Sequence, residues 1–190
     1  MTTYGIVAEG NYDEAALIEL IKKCLSENIE VIPRRCGGKD RLMNKFPAYL
    51  ESFRYANQGQ NVDKALVIRD ADAKDPNELL ERMKNKIAGR NYPFEVKFIP
   101  IVQELETWLL ADENAISKVT GTRSGRTVSR INKNIESILD PKGRLQNILS
   151  AAGVPYTPVV AQEITRELNI STVEYRCPGF KEFRQAVIDC

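Results

Sequence analysis

Two short apolar runs, each ending in an acid, constrain this chain most: Tyr4-Gly5-Ile6-Val7-Ala8 before Glu9, and Ala65-Leu66-Val67-Ile68 before Asp70. Apolar runs of this length without polar alternation suit strands buried on both faces, as in a parallel sheet. What lies between them has helical period. Leu17, Ile18, Ile21, Cys24 and Leu25 share one face of a helix running from about Asp13, a plausible N-cap, to about Ser26. Leu42, Phe46, Tyr49 and Phe53 share one face of a second, from about Asp40 to Ala56, with Pro47 as a point of interruption. Further strands are expected at Ile29–Pro33 and Phe94–Pro100, and a helix opens at Pro76 and runs to about Ala88. Strands alternating with helices predict an α/β fold with a mainly parallel sheet flanked by helices.

The character changes after Ile101. Glu104 to Ala111 reads as a short helix, Ser117 to Lys133 as a polar, basic loop, and the remainder as mostly helical, near 142–152, 158–168 and 179–188. The division expected is an α/β core over 1–112 and a C-terminal part over 113–190, a basic loop and helices packed on the same domain. With 190 residues and 43% apolar content, the chain is long enough for one substantial core.

The chain has no histidine. That removes Ser-His-Asp and Cys-His catalysis and His-ligated zinc. The four cysteines, Cys24, Cys36, Cys177 and Cys190, form no CxxC pair and read as reduced thiols rather than a disulfide framework or a zinc site. No run approaches a membrane span, and the start of the chain has no signal-peptide pattern, so a cytoplasmic protein without a membrane partner is expected. Any chemistry must rest on carboxylates, lysine, tyrosine and a bound metal.

The acids are placed for that. In open α/β sheets ligands bind beyond the carboxyl ends of the strands. The first strand delivers Glu9 and, one helix start later, Asp13; the third delivers Asp70 and Asp72, which extended chain would aim to the same side. Carboxylates gathered together repel unless a cation neutralises them, and Mg²⁺ takes such hard oxygen ligands. Taken singly, each has a plain structural reading: a helix cap, a solvated turn, a chance Asp-x-Asp.

Together the motifs resemble the TOPRIM domain of topoisomerases, primases, recombination proteins and the OLD family of nucleases. The first motif stands here as Ile6-Val7-Ala8-Glu9-Gly10, with Asp13 matching the OLD-type variant, and the second as Val67-Ile68-Arg69-Asp70-Ala71-Asp72. Glu104-Leu105-Glu106-Thr107-Trp108-Leu109-Leu110 looks like the acidic helix of OLD-type proteins and small stand-alone relatives, and Asp140-Pro141-Lys142 with Leu145 resembles those relatives more loosely. The core resemblance spans about residues 4 to 112. It implies a TOPRIM-like fold and one or two Mg²⁺ or Mn²⁺ ions held by Glu9, Asp13, Asp70 and Asp72, with Glu106 and Glu104 supporting a second. It also implies Glu9 as ligand or general acid/base, and Lys142 as the cation beside a scissile phosphate. The plain alternatives are an amphipathic helix whose Glu104 and Glu106 face water, and a solvated lysine at a helix start.

Two basic clusters suit a phosphate backbone: Arg34, Arg35, Lys39 and Arg41 around Gly37-Gly38, and Lys118, Arg123, Arg126, Arg130 and Lys133. No aromatic residues interleave with them, which favours backbone contact over base stacking; solvated loops are the plain reading. The net charge of +1 excludes a generally basic nucleic-acid coat. The function expected is a metal-dependent nuclease or related phosphoryl-transfer enzyme acting on DNA or RNA, with phage defence as the context the resemblance suggests and room for a separate ATPase subunit as partner. The alternatives are a non-catalytic module that binds nucleic acid or a partner and, less well supported, an Asp-x-Asp glycosyltransferase, which would leave Glu9 and Asp13 unexplained.

Overall fold

The computed structural model describes residues 2–25, 29–72, 74–125 and 127–189, with the backbone alone at Lys39, Thr122, Arg123 and Ser124. Four strands, β1 (Thr2–Ala8), β2 (Ile29–Arg35), β3 (Lys64–Asp70) and β4 (Glu95–Ile101), form one sheet in the order β2-β1-β3-β4. Every pairing is parallel, as buried apolar runs joined by helices require. The two edge strands each contain a proline, Pro33 and Pro100, where a missing backbone donor is tolerated.

Alternation along the strands divides the core in two. Tyr4, Ile6, Ala8, Leu66, Ile68, Ile99 and Ile101 face one side, and Val7, Ala65 and Val67 the other. The first side is covered by α1 (Asn11–Cys24) and by the C-terminal helices: α4 (Glu106–Leu110), α5 (Glu113–Ser124), α6 (Pro141–Ala151), α7 (Pro158–Glu167), α8 (Ile170–Arg176) and α9 (Pro178–Ile188). Trp108, Phe180 and Phe183 stack there with ring centroids 5.0 to 5.5 Å apart. The second side is covered by α2 (Lys39–Ser52) and α3 (Pro76–Lys86). Gly5 lets the Phe53 ring lie on β1; a Cβ there would stand 2.7 Å from it.

Several expectations shift. Pro47 lies inside α2 without ending it. Arg34 and Arg35 belong to β2 rather than to a loop, and Lys39 opens α2. The first half of the expected basic loop is the helix α5, which is capped by Asp112 through Asn114 and Ala115 amides and stopped by left-handed Gly125. Asp13 is not the N-cap of α1: Gly10 holds that place, and the Asp13 carboxylate reaches back to the Gly10 amide at 2.8 Å.

Candidate functional site

β3 ends at Asp70, whose even position aims it to the side covered by α1 and the C-terminal helices. Three further elements bring charges to that end of the sheet. The first turn of α1 brings Asp13, the start of α4 brings Glu106 with Glu104 just ahead of it, and the first turn of α6 brings Lys142. Burial raises the Asp70 carboxyl well above the usual range, and Asp13, Glu9, Glu106 and Glu104 all push it further in that direction. Asp13 is raised as well, by burial first and Glu106 second, against the opposing pull of the Gly10 amide and Lys142.

Glu106 is 1% exposed, so it is not on a solvated helix face. Its Oε1 accepts a hydrogen bond from the Tyr156 hydroxyl at 3.0 Å and lies 3.3 Å from Lys142 Nζ. Lys142 Nζ also stands 4.9 Å from the centre of the Tyr12 ring, which lies 5.0 Å from that of Tyr156. Glu104 accepts a hydrogen bond from the Lys142 backbone amide at 3.1 Å, and its carboxyl is raised chiefly by burial. Burial alone would lower the Lys142 ammonium; Glu106, with Asp13 and Glu104 behind it, outweighs this and raises it.

Glu9 points elsewhere. The register sets Val7 beside Val67 and so carries Glu9 toward Arg69, on the α2 and α3 side. The two side chains face each other at 3.7 Å. The Glu9 carbonyl accepts hydrogen bonds from the Gly37 and Gly38 amides at 2.9 and 3.0 Å. Those residues have φ of 77° and 120°, which glycine adopts without a steric penalty. Asp72 has left the strand. Its φ is 51°, and its amide donates to the Gln103 carbonyl at 3.0 Å, where φ is 66°. The two-residue alternation that would aim Asp72 alongside Asp70 therefore does not apply.

The structure thus draws Asp70, Asp13, Glu106, Glu104 and Lys142 to one end of the sheet, with Glu9 within electrostatic reach and Asp72 at the rim. Among the described residues, no three His, Cys, Asp or Glu side chains stand close enough to hold a metal ion. The acids act on one another while Asp13, Glu104, Glu106 and Glu9 each face a donor or cation of the protein itself.

The basic candidates are less concentrated. Arg34 lies over the Phe53 ring at 5.4 Å and donates to Ser52. Arg35 pairs with Glu14 and Asn11, both at 2.7 Å. Arg130 is exposed. Arg126 and the side chains of Lys39 and Arg123 lie outside the described residues. Sequence reasoning passed over Tyr12, Tyr156 and Arg69. Only Arg69, beside the Asp-x-Asp motif, carried a local signal.

No curated protein matches the chain. The solved structure of the C-terminal region of the Xanthomonas campestris pv. campestris OLD protein is similar at 13% identity and a TM-score of 0.42, covering 97% of this chain and 95% of that one. The family model described as a domain of unknown function (DUF4276) matches residues 8–188, and the chain belongs to that family.

Proposed function

We propose that this protein engages nucleic acid at the carboxyl end of its sheet through a Mg²⁺ or Mn²⁺ ion held in the acidic pocket. The observation that carries the reading is Asp70: a carboxyl pushed up by burial and by four neighbouring acids is a group that a hard cation would relieve. The donor set fits such an ion in chemistry, being carboxylate oxygen with no histidine in the chain. Asp70, Asp13 and Glu106 do not stand as a ready three-acid cluster and would have to close on the ion to hold it, with Glu104, Asp72 and Glu9 at the periphery. Nucleic acid as the ligand rests on the motif resemblance to TOPRIM domains.

Two forms of this reading differ in whether a bond is cut. In the non-catalytic form the site binds nucleic acid or a partner subunit. The engaged state of the acids favours it, because Lys142 already supplies positive charge to Glu106 and no ready three-acid cluster exists among the described residues. In the nuclease form a bound ion would polarise the phosphate and neutralise charge. Glu9 would then have to turn from Arg69 into the pocket to act as general acid/base, and Lys142 would stabilise charge developing on the phosphate. Labelled single- and double-stranded DNA and RNA, incubated with Mg²⁺, Mn²⁺ or EDTA, separate the two. Cleavage that requires metal and is lost in Glu9→Gln, by about 10²-fold or more, establishes the nuclease. Retention without cleavage establishes the module. Neither binding nor cleavage, together with no rise in melting temperature on adding Mn²⁺, rejects the reading as a whole.

A further inference from the structure

On the opposite side of the sheet from Lys142, a groove of about 540 Å³ lies between α2 and α3. Its polar lining is Asn44, Arg69, Arg82, Asn85 and Lys86, with Asp40 as its acid. A smaller cavity, about 30 Å³, reaches from there to Asp70 and Asp72, and Arg69 and Arg82 line both. The groove therefore opens toward the acidic end of the sheet.

Arg69 is the informative residue. It is 7% exposed, yet its Nε and Nη1 are buried without a hydrogen-bond acceptor. Glu9, at 3.7 Å, stands beyond hydrogen-bond length. Buried guanidinium donors left unbonded are unfavourable and rare, and they mark a place where an acceptor belongs. Arg82 and Lys86 sit about one turn apart on α3, roughly 6 Å along its axis, with Asn85 beside them. Both are exposed, and among the described residues neither makes an ion pair or hydrogen bond. A solvated helix end would explain Lys86 alone, but not the Arg69 beside it in the groove, whose Nε and Nη1 are buried without an acceptor.

We propose that this groove binds the phosphate backbone of a polynucleotide and leads it to the Asp70 pocket, with Arg69 as the buried anchor and Arg82 and Lys86 as the outer contacts. The inference rests on the nucleic-acid reading above and assigns it a surface distinct from the basic clusters legible in the sequence. Among the described residues no aromatic side chain lines the groove, so the contacts follow the backbone and tolerate any base.

The test is anisotropy of a labelled oligonucleotide in EDTA at rising salt, comparing the wild type with R82E/K86E, whose side chains are exposed and whose fold should be intact by circular dichroism. The expected result is about 10-fold weaker binding or more, and a salt slope reduced by about 1.4 on a single strand for two lost phosphate contacts. R69Q should weaken binding without abolishing that slope. Unchanged affinity and slope in R82E/K86E overturn the groove while leaving nucleic-acid binding to another surface. Displacement of the oligonucleotide by an equal concentration of mononucleotide or inorganic phosphate also overturns it, since the site would then be one for a free anion. No binding by the wild type in EDTA overturns the groove, and no binding after Mn²⁺ is added overturns the nucleic-acid reading as well. Binding in EDTA does not need the metal. A wild type that binds the oligonucleotide but shows no Mn²⁺-induced melting shift would support the groove and end the cation reading alone.

Discussion

Asp70 marks the place where charge is hardest to hold. Its folded-state carboxyl is raised above the ordinary value of 3.8, first by burial and then by Asp13, Glu9, Glu106 and Glu104. The folded state thus binds that proton more tightly than the unfolded chain. Asp70 is neutral to stability below its unfolded pKa and destabilising as pH rises from there toward the raised value. In metal-free buffer, Asp70→Asn should melt higher than wild type at neutral pH, with the difference closing as pH falls toward 4. Melting curves that stay parallel across pH 4 to 8 would show that Asp70 feels no such burden. The opposite sign is expected at Tyr156, whose hydroxyl donates to the buried Glu106. Tyr156→Phe leaves that carboxylate with Lys142 alone and should destabilise by about 1.5–3 kcal/mol, read from urea unfolding. A change within experimental scatter would mean that water replaces the hydroxyl.

At the scale of elements, the C-terminal helices are tied to the sheet by a few polar clamps as well as by apolar packing. Arg176, at the end of α8, donates to the Glu113 carboxylate at 2.7 and 2.8 Å, to the Ala111 carbonyl and to the Ile131 carbonyl. One guanidinium therefore joins α8, the α4–α5 junction and the segment after α5. Burial would raise the Glu113 carboxyl, but Arg176 and the Ile131 amide prevail and lower it. Arg176→Ala should cost about 3 kcal/mol, since it strands a mostly buried acid. It should also speed amide exchange at 127–133 selectively. Exchange that rises evenly over the whole chain would contradict a local clamp. This part of the molecule was the least legible in the sequence. α8 went unread because Ile170–Arg176 has little apolar period of its own and is seated by Val173 and Cys177 against neighbours far away in sequence. α5 reads as part of a loop in sequence because Gly121 and its basic residues mask a helix whose buried side includes Ala115, Ile116 and Val119. β1 and β3 are legible because continuous apolar runs ending in acids have few other uses. Asp70 is legible for the same reason, being a strand end, whereas Asp13 stands in the first turn of α1 and Glu104 and Glu106 came only through the motif resemblance. The neighbouring Tyr12 and Tyr156 are not legible, because aromatic residues outside a periodic pattern carry no local sign of what they will touch. Asp72 lies two residues past the end of β3, where strand alternation no longer sets its direction, and it lines the same small cavity as Asp70.

Across the whole molecule, the sheet separates two chemistries. One side of its carboxyl end gathers carboxylates around Asp70, and the other holds the cationic groove of Arg69, Arg82 and Lys86, with Glu9 and Arg69 facing each other at the divide. Exchanging the signs at that divide, as Glu9→Arg with Arg69→Glu, should restore the melting temperature relative to Glu9→Arg alone if the pair acts as a unit, a coupling that a double-mutant cycle reads directly. The prolines of the two outer strands bear on how such a molecule meets its neighbours. Pro33 and Pro100 each remove a backbone donor from an edge that would otherwise present a row of them. A strand from another chain would find gaps in the ladder on either flank. Assembly with a second subunit, where it occurs, is thereby directed to helical surfaces, and concentrated solutions are guarded against edge-to-edge polymerisation. Pro100→Val should make the protein aggregate faster on gentle heating without lowering its melting temperature.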